Sequence, residues 1–304
     1  MDSSIASQTP PVIEIRRLTR QFGAARALDN VSLSIPRGGV FGLIGGNGAG
    51  KTTLIKHVLG MLRAQTGIVR VFGLDPVDNP VGTLSRIGYL SEDRDLPDWM
   101  TVRELTQYTQ AFFPTWDESY AEQLREMFDL DPEAKVRALS RGQRARAGLL
   151  TALAHRPELL VLDEPSSGLD PVVRRDILGA IIRTIADEGR TVLFSSHLLD
   201  EVERVADQVT IIHQGRLRLT ASIDEIKDTH RRVTLHFEQP MERPPMLVGA
   251  ISFEGAGQEW TYICNGASPQ LRHAAESIGA TVVNDSALSL DEVFVSQVAE
   301  HPLV

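Results

Sequence analysis

The chain has 304 residues, a formal net charge of −9 and one cysteine, Cys264. Its length suits one large domain or a large domain joined to a small one, and its composition is that of an ordinary globular protein. The acidic balance argues against general nucleic-acid binding, the lone cysteine excludes an intramolecular disulfide, and no run approaches the roughly 18 apolar residues that span a bilayer.

The chain opens with a polar leader, residues 1–11, which lacks the apolar core and basic flank of a signal peptide. Alternating apolar and polar residues then predict two half-buried strands, VIEIRRLTRQFG and ALDNVSLSIP. A nearly continuous apolar run, GGVFGLIG, indicates a buried strand, and helical spacing follows in KTTLIKHVLGML. Two further strands are predicted in GIVRVFG and RIGYL.

Apolar residues recur at helical spacing over about residues 91–155, in TVRELTQYTQAFF, ESYAEQLREMFDL and RGQRARAGLLTALAH. Buried strands are predicted next in LLVLDEP and TVLFSSH, and the helix between them ends at Gly189. A helix, LLDEVERVADQ, and a hairpin, VTIIHQGRLRLT, follow. This alternation predicts an α/β fold with a mostly parallel sheet, flanking helices and a helical insert.

After about residue 230 the alternation of strands and helices is replaced by several strand-like stretches in succession. Three strand-like stretches, RVTLHFEQP, VGAISFEG and WTYICNG, precede the helix SPQLRHAAESIG, the strand ATVV and the helix SLDEVFVSQVAE. We therefore expect a main domain over residues 12–230 and a small α+β accessory domain over residues 231–304.

A glycine-rich loop, GGNGAGKT at residues 45–52, matches G-x-x-x-x-G-K-[ST] and lies between a predicted buried strand and a helix. Its glycines let the backbone turn and aim N–H groups at a phosphate, and the helix N-terminus adds partial positive charge. Lys51 is placed to reach the β- and γ-phosphate oxygens, and Thr52 to put its hydroxyl on Mg²⁺. The pattern predicts a nucleotide-phosphate site.

Two acidic residues end the predicted strand LLVLDEP. Asp163 is placed to hold Mg²⁺ through water, and Glu164 to polarise an attacking water. Taken alone, they also suit a solvated strand end. Paired with the glycine-rich loop, they indicate phosphoryl transfer.

A basic stretch, KVRALSRGQRARAG at residues 135–148, contains four arginines and a lysine. Such a charge run is typical of a nucleic-acid patch, but the motifs around it favour another role. In chain order, GGNGAGKTT, LSRGQ, LLVLDEP, SGLD and LFSSH resemble the Walker A, signature, Walker B, D-loop and switch-histidine motifs of ABC ATPases. The resemblance extends over about residues 12–219 and implies a P-loop NTPase core that includes an antiparallel β subdomain.

The resemblance implies roles for individual residues. Phe22 would stack on adenine, although an ordinary core aromatic is the alternative. Glu164, His197 and Lys51 would be catalytic, with His197 contacting the γ-phosphate. The nucleotide-binding residues would be Phe22, Gly45, Asn47, Gly48, Ala49, Gly50, Lys51, Thr52 and Thr53, and the Mg²⁺ ligands would be Thr52, Glu92 and Asp163.

Such domains work as head-to-tail dimers, so a second copy of the chain is the implied partner. The signature residues Ser140, Arg141, Gly142 and Gln143 would then face the γ-phosphate held by the other copy. The D-loop residue Asp170 would communicate across the interface, or simply cap the helix that starts at Pro171.

Three positions depart from the family pattern. Gly46 stands where many members have proline, which changes loop stiffness. Arg141 replaces the first glycine of the signature pair, and it either adds charge near the nucleotide or points elsewhere. Glu92 stands where a glutamine is usual; it can still bind Mg²⁺, or it is a solvated loop acid.

The accessory tail resembles the C-terminal part of ATPase subunits of bacterial ABC-2-type exporters. We therefore expect an ATP-hydrolysing motor on the inner face of the cell membrane, held by a multi-span permease and not bound to nucleic acid. Trp99 and Met100 lie where the family docks that permease, or they pack under the insert. A soluble ABC ATPase without transport and an importer motor are the alternatives.

Overall fold

The computed structural model describes residues 10–93, 95–186 and 189–298. Its strands, in chain order, are β1 (Ile13–Phe22), β2 (Ala25–Ile35), β3 (Gly39–Ile44), β4 (Thr66–Val71), β5 (Ile87–Leu90), β6 (Leu159–Asp163), β7 (Thr191–Ser196), β8 (Gln208–His213), β9 (Arg216–Ser222), β10 (His230–Met241), β11 (Ala250–Asn265) and β12 (Ala280–Ala287).

The helices are α1 (Lys51–Val58), α2 (Pro80–Leu84), α3 (Val102–Gln110), α4 (Glu118–Met127), α5 (Arg141–Leu153), α6 (Pro171–Ala186), α7 (Leu199–Val205), α8 (Ile223–Thr229), α9 (Ser268–Ser277) and α10 (Leu290–Val298). In the described part of the chain, no helix is long and apolar enough to cross a membrane.

The chain forms two compact units. The first runs to Ala206 and also includes Thr210–Leu217; the second comprises Asp207–Val209 and continues from Arg218. The domain boundary predicted at residue 230 coincides with the start of β10, inside the second unit.

A six-stranded sheet has the order β5-β6-β7-β3-β8-β9, and the first unit contains the whole of β5, β6, β7 and β3 with parts of β8 and β9. The pairs β5–β6, β6–β7 and β3–β7 are parallel, and every residue of β6 and β7 is buried. Apolar runs on both faces of a parallel sheet are what helices on either side require. The predicted α/β class with a mostly parallel sheet is confirmed.

A separate antiparallel sheet, with the order β2-β1-β4, belongs to the same unit. Its inward side chains share one hydrophobic core with α1 and the parallel strands; among them are Ile13, Leu28, Val71, Leu54 and Val161. This core positions two elements that matter below, the end of β1 and the N-terminus of α1.

The insert contains α3, α4 and α5, as the helical spacing of its apolar residues predicted. At the end of α5, His155 is buried, stacks on Phe113 with ring centroids 3.8 Å apart, and its Nε2–H donates to the Ile87 carbonyl at 3.2 Å. Burial lowers the pKa of His155 from 6.5 to about 4. The neutral imidazole therefore helps to anchor α5 to β5.

We expect acid to weaken this anchor. Between pH 6.5 and about 4 the unfolded chain binds a proton at His155 that the folded chain excludes, so the free energy of unfolding falls as pH decreases through that window. The expected loss is roughly 3 kcal/mol. Urea denaturation at a series of pH values should show a flatter pH dependence for His155→Gln than for wild type. His273→Gln, at an exposed histidine, is the control and should follow wild type; a His155→Gln curve parallel to wild type would contradict the assignment.

The second unit contains a three-stranded antiparallel sheet with the order β11-β10-β12. Val233, Leu235, Tyr262 and Leu271 are part of its own core, which joins the sheet to α9. The stretches VGAISFEG and WTYICNG both lie in β11, and the chain turns back between them at Gly255 and Gly257, which have positive φ. The Asn265 N–H donates to the Gly249 carbonyl at 2.7 Å, so the two predicted strands are the two arms of a hairpin. The short helices α2 and α8 were missed by the sequence patterns.

Candidate functional site

The glycine-rich loop joins β3 to α1 in a tightly packed turn. Gly50, directly before α1, has φ of 113°, and a Cβ there would lie 2.6 Å from the Ala27 carbonyl oxygen. A Cβ on Gly45 would lie 2.5 Å from the Ile212 carbonyl oxygen. These positions require glycine because neighbouring backbone occupies the space that a side chain needs.

Gly45 and Gly46 are adjacent but differ in their surroundings, which makes them a matched pair. A Cβ on Gly46 would meet no atom within 4 Å, and the φ of Gly46 is not left-handed. We expect Gly45→Ala to abolish ATP binding and to destabilise the fold by about 1–3 kcal/mol through overpacking. We expect Gly46→Ala to change ATP affinity by no more than about twofold and the free energy of unfolding by no more than about 0.5 kcal/mol. Titration calorimetry and thermal unfolding measure the two effects, and equal behaviour of the two variants would argue against this packing.

Three of the predicted catalytic side chains converge at the loop. Lys51 is buried; its Nζ donates to the Gly45 carbonyl at 2.6 Å and pairs with Glu164 Oε1 at 3.0 Å. On the other side, Nδ1 of His197 lies 2.7 Å from Glu164 Oε2. Glu164 thus bridges a cation and an imidazole beside the phosphate loop, and a bound phosphate would compete with it for the lysine ammonium.

The Walker B acids are held by a residue that the sequence patterns missed. Ser195 Oγ donates to Asp163 Oδ1 at 2.6 Å and accepts from the Glu164 backbone N–H at 2.9 Å. Glu164 has φ of 48°, an uncommon conformation for a residue with a side chain, so a hydrogen bond that fixes its backbone also aims its carboxylate. The parallel register pairs Asp163 with Ser195 across the ends of β6 and β7, a contact that no local sequence pattern indicates.

The remaining loop and helix residues lie where the motif places them. Asn47 and Gly48 are exposed, Ala49 is buried, and Thr52 and Thr53 are half-buried in the first turn of α1. Mg²⁺ prefers oxygen ligands and commonly takes one or two protein groups together with phosphates and water. The buried Asp163 carboxylate and the Thr52 hydroxyl suit such a partial ligand set. Within the described residues, no cluster of three or more acidic, histidine or cysteine side chains forms a metal cage.

Two other predicted ligand residues are exposed. Phe22 ends β1 with 47% of its surface exposed, so it is not an ordinary core aromatic. Glu92 is exposed in the turn after β5.

The signature residues form a helix cap. Ser140 Oγ accepts from the Gln143 N–H at 3.2 Å, and Gln143 Oε1 accepts from the Ser140 N–H at 3.0 Å, a reciprocal capping box at the start of α5. The S-x-x-Q spacing was the available signal. A Cβ on Gly142 would lie 2.7 Å from Val173 Cγ2, so this glycine lets α5 approach α6.

The arginines around the signature have separate partners. The Arg141 guanidinium lies against the D-loop, since a Cβ on Gly168 would be 2.6 Å from its Nη1. Arg144 donates to the Val136 carbonyl at 3.2 Å, and Arg146 pairs with Asp176 at 2.5 Å.

The D-loop is held from both ends. Asp170 caps α6, accepting from the N–H groups of Val172 and Val173 at 2.9 and 3.1 Å, and the hydrogen bond from Val173 is the main reason that the pKa of Asp170 is lowered. The buried Glu201 of α7, also missed by the sequence patterns, accepts from Ser166 Oγ; burial raises the pKa of Glu201. The segment after the switch histidine is thereby tied to Ser166, the residue directly before the D-loop.

The structure therefore brings together Lys51, Asp163, Glu164 and His197 in one chain. Ser140 and Gln143 hydrogen-bond to each other, and the contacts described for Asp170 are with the start of its own helix. In the described residues, no hydrogen bond or ion pair joins Ser140, Gln143 or Asp170 to the cluster formed by the other four.

The chain is similar to proteins of known family along most of its length. Residues 28–167 match the ABC transporter family. The bacitracin transport ATP-binding protein BcrA of Bacillus licheniformis is 32% identical over 73% of this chain and 73% of its own. The ABC transporter ATP-binding protein YtrB of Bacillus subtilis (strain 168) is 26% identical over 94% of this chain and 98% of its own.

Solved structures agree with these relatives. An ATP-binding subunit of an ABC transporter, 28% identical, has a TM-score of 0.66 over 71% of this chain and 92% of its own. The dimeric ABC transporter cassette MJ0796, 20% identical, supports the fold with a TM-score of 0.64 over 69% of this chain and 98% of its own. The phosphate loop, the paired acids and these similarities lead to one conclusion: the chain belongs to the ATP-binding proteins of ABC transporters and is an ATPase.

Proposed function

We propose that this ATPase is the motor subunit of a bacterial ABC-2-type exporter, and that it drives a separate multi-span permease from the inner face of the membrane. The observation that carries the catalytic part is the convergence of Lys51, Glu164 and His197 at the phosphate loop, with contacts of 3.0 and 2.7 Å to Glu164. The motor role follows from coupling this ATPase to a partner that crosses the membrane.

The side chains suggest a division of labour in hydrolysis. Backbone N–H groups of the loop and the Lys51 ammonium hold the phosphates, and His197 contacts the γ-phosphate. Glu164 accepts a proton from the attacking water, because its buried carboxylate is already oriented by two partners. Thr52 and Asp163, with Glu92 at the loop edge, would hold Mg²⁺, which supplies charge neutralisation for the phosphates when it is bound.

A second copy of the chain would complete each site. Ser140 and Arg141 are at the N-terminus of α5, where backbone N–H groups and the helix dipole favour an anion. We propose that this end of α5, with Gly142 and Gln143, meets the γ-phosphate bound by the other copy in a head-to-tail dimer. Asp170, at the start of α6, would lie at the same interface.

The helical insert carries exposed aromatic side chains that suit a membrane partner. Trp99, Tyr108 and Phe112 are 65%, 50% and 61% exposed, and the rings of Tyr108 and Phe112 are in edge contact at 5.1 Å. Aromatic anchors of this kind commonly fill pockets on a partner. Met100, by contrast, is buried, so of the two residues considered from sequence only Trp99 is available for docking.

The exporter assignment draws on the relatives and on the tail. BcrA of Bacillus licheniformis and BcrA of Enterococcus faecalis, which is 33% identical, are both bacitracin transport proteins. The similarity to YtrB spans 94% of this chain and so includes the accessory unit. Bacitracin is for this reason a useful first probe of transport.

The proposal is tested by purifying the tagged chain from detergent-solubilised membranes of its source organism. We expect a multi-span membrane protein to co-purify, Trp99→Ala to weaken that association at least tenfold, and the equally exposed Met246→Ala to leave it unchanged. In inverted vesicles containing both proteins, ATP should drive bacitracin or another substrate inward. Uptake into right-side-out vesicles would indicate an importer, and recovery of the chain without any membrane protein would favour an ATPase that acts without transport.

A further inference from the structure

One face of the Phe22 ring is already occupied. The Arg20 guanidinium carbon lies 4.6 Å from the centroid of that ring, within the range of a cation–π contact. Since Phe22 is 47% exposed, the ring keeps an accessible surface beyond the side that Arg20 covers. A planar base that stacks on Phe22 therefore has one face available to it.

Arg20 is itself held in place. Its Nη1 donates to the Arg63 carbonyl at 3.3 Å, and its Nε is buried without a hydrogen-bond partner among the described residues. The pKa of His57 in α1 is lowered mainly by burial, with the Arg20 charge as a further cause, so the guanidinium also lies near the helix that follows the phosphate loop.

The backbone next to Phe22 is fixed by a second side chain. Gln65 accepts from the Gln21 N–H at 2.7 Å and donates to the Gln21 carbonyl at 3.1 Å. The residue before the ring is thus clamped through both of its backbone polar groups. Arg63 and Gln65 both lie between α1 and β4, so one short segment supports both the Arg20 side chain and the chain leading to Phe22.

We infer that Arg20 is a positioning residue for the nucleotide base: it holds the Phe22 ring in one orientation and leaves the opposite face for a purine. This inference rests on the proposed stacking role of Phe22 and extends it to a residue that does not touch the nucleotide. A ring fixed beforehand loses less conformational entropy when the base binds, so the contribution of Arg20 belongs to base binding and not to phosphate binding.

The experiment compares the binding of MgATP and of magnesium tripolyphosphate, which has phosphates but no base, by titration calorimetry. Arg20→Met keeps the apolar stem and removes the guanidinium. We expect it to weaken MgATP binding roughly three- to tenfold and to leave tripolyphosphate binding unchanged. Arg20→Lys should recover part of the loss, because an ammonium also attracts the ring face. Arg70→Met, at an exposed arginine in β4 of the same sheet, is the matched control and should bind both ligands like wild type.

A double-mutant cycle with Phe22→Ala decides the mechanism. If Arg20 acts through the ring, Arg20→Met causes no further loss of MgATP affinity in the Phe22→Ala background. The inference is overturned if Arg20→Met leaves MgATP binding unchanged, weakens both ligands equally, or has its full effect without the ring. If Phe22→Ala weakens MgATP binding without weakening tripolyphosphate binding, and Arg20→Met does not, only the role of Arg20 is rejected. If Phe22→Ala causes no selective loss of MgATP affinity, the stacking role of Phe22 is rejected as well.

Discussion

Replacing Glu164 with glutamine is expected to lower the turnover number by roughly 10²–10⁴-fold while MgATP affinity stays within a few-fold of wild type. The amide keeps the size of the side chain and its place between Lys51 and His197, but it cannot take a proton from water. The buried carboxylate and its contacts of 3.0 and 2.7 Å make Glu164 the best-placed base in the described residues. Because hydrolysis releases the dimer in the proposed cycle, the variant should also accumulate as an ATP-bound dimer.

Phosphate release measures the turnover, and light scattering with and without MgATP measures the dimer. Asp200→Asn makes the same chemical change at an exposed acid near the switch histidine and should hydrolyse ATP normally. Near-normal turnover in Glu164→Gln would remove Glu164 from the role of base. Loss of MgATP binding would instead mean that its charge is needed to hold Lys51 and the loop.

Replacing Ser140 with arginine is expected to reduce turnover at least about 100-fold without preventing MgATP binding to the monomer. The side chain stands at the start of α5, and the larger cation would occupy the surface proposed to meet the other copy's nucleotide. Ser140 also caps α5, so the change removes a cap worth roughly 0.5–2 kcal/mol. Ser140→Ala and Ser222→Ala, which removes the corresponding cap of α8, measure the cost of cap loss alone.

Subunit mixing separates a composite site from local damage. A chain with Ser140→Arg retains its phosphate loop, and a chain with Lys51→Ala retains its signature. In a head-to-tail dimer of the two, one complete site forms, so the mixture should regain activity that neither variant has alone. Wild-type turnover that is independent of protein concentration, or mixtures as inactive as their components, would contradict the composite site.

Local patterns predicted much of the fold because most strands and helices of the first unit have their own periodicity; the five-residue helix α2 was missed. The buried runs GGVFGLIG, LLVLDEP and TVLFSSH became β3, β6 and β7, and the helical insert became α3 to α5. Short elements were less visible: α8 has seven residues, too few for a clear helical period. In β11, Gly255 and Gly257 interrupt the alternation where the chain turns back, and only the part from Gly257 onward pairs with β10.

The sequence by itself determined the phosphate loop, the two acids after β6 and the order of the family motifs, because each depends on residue types at short, fixed spacings. Only the tertiary structure decided which groups meet. Parallel register placed Ser195 beside Asp163, and packing brought Glu164 between Lys51 and His197. Burial separated Met100 from the exposed Trp99, and the path of β1 set Arg20 against Phe22. Most of these contacts join residues that are distant in sequence. Arg20 and Phe22 are close in sequence but are separated by a register shift in β1. No local pattern therefore specifies these contacts.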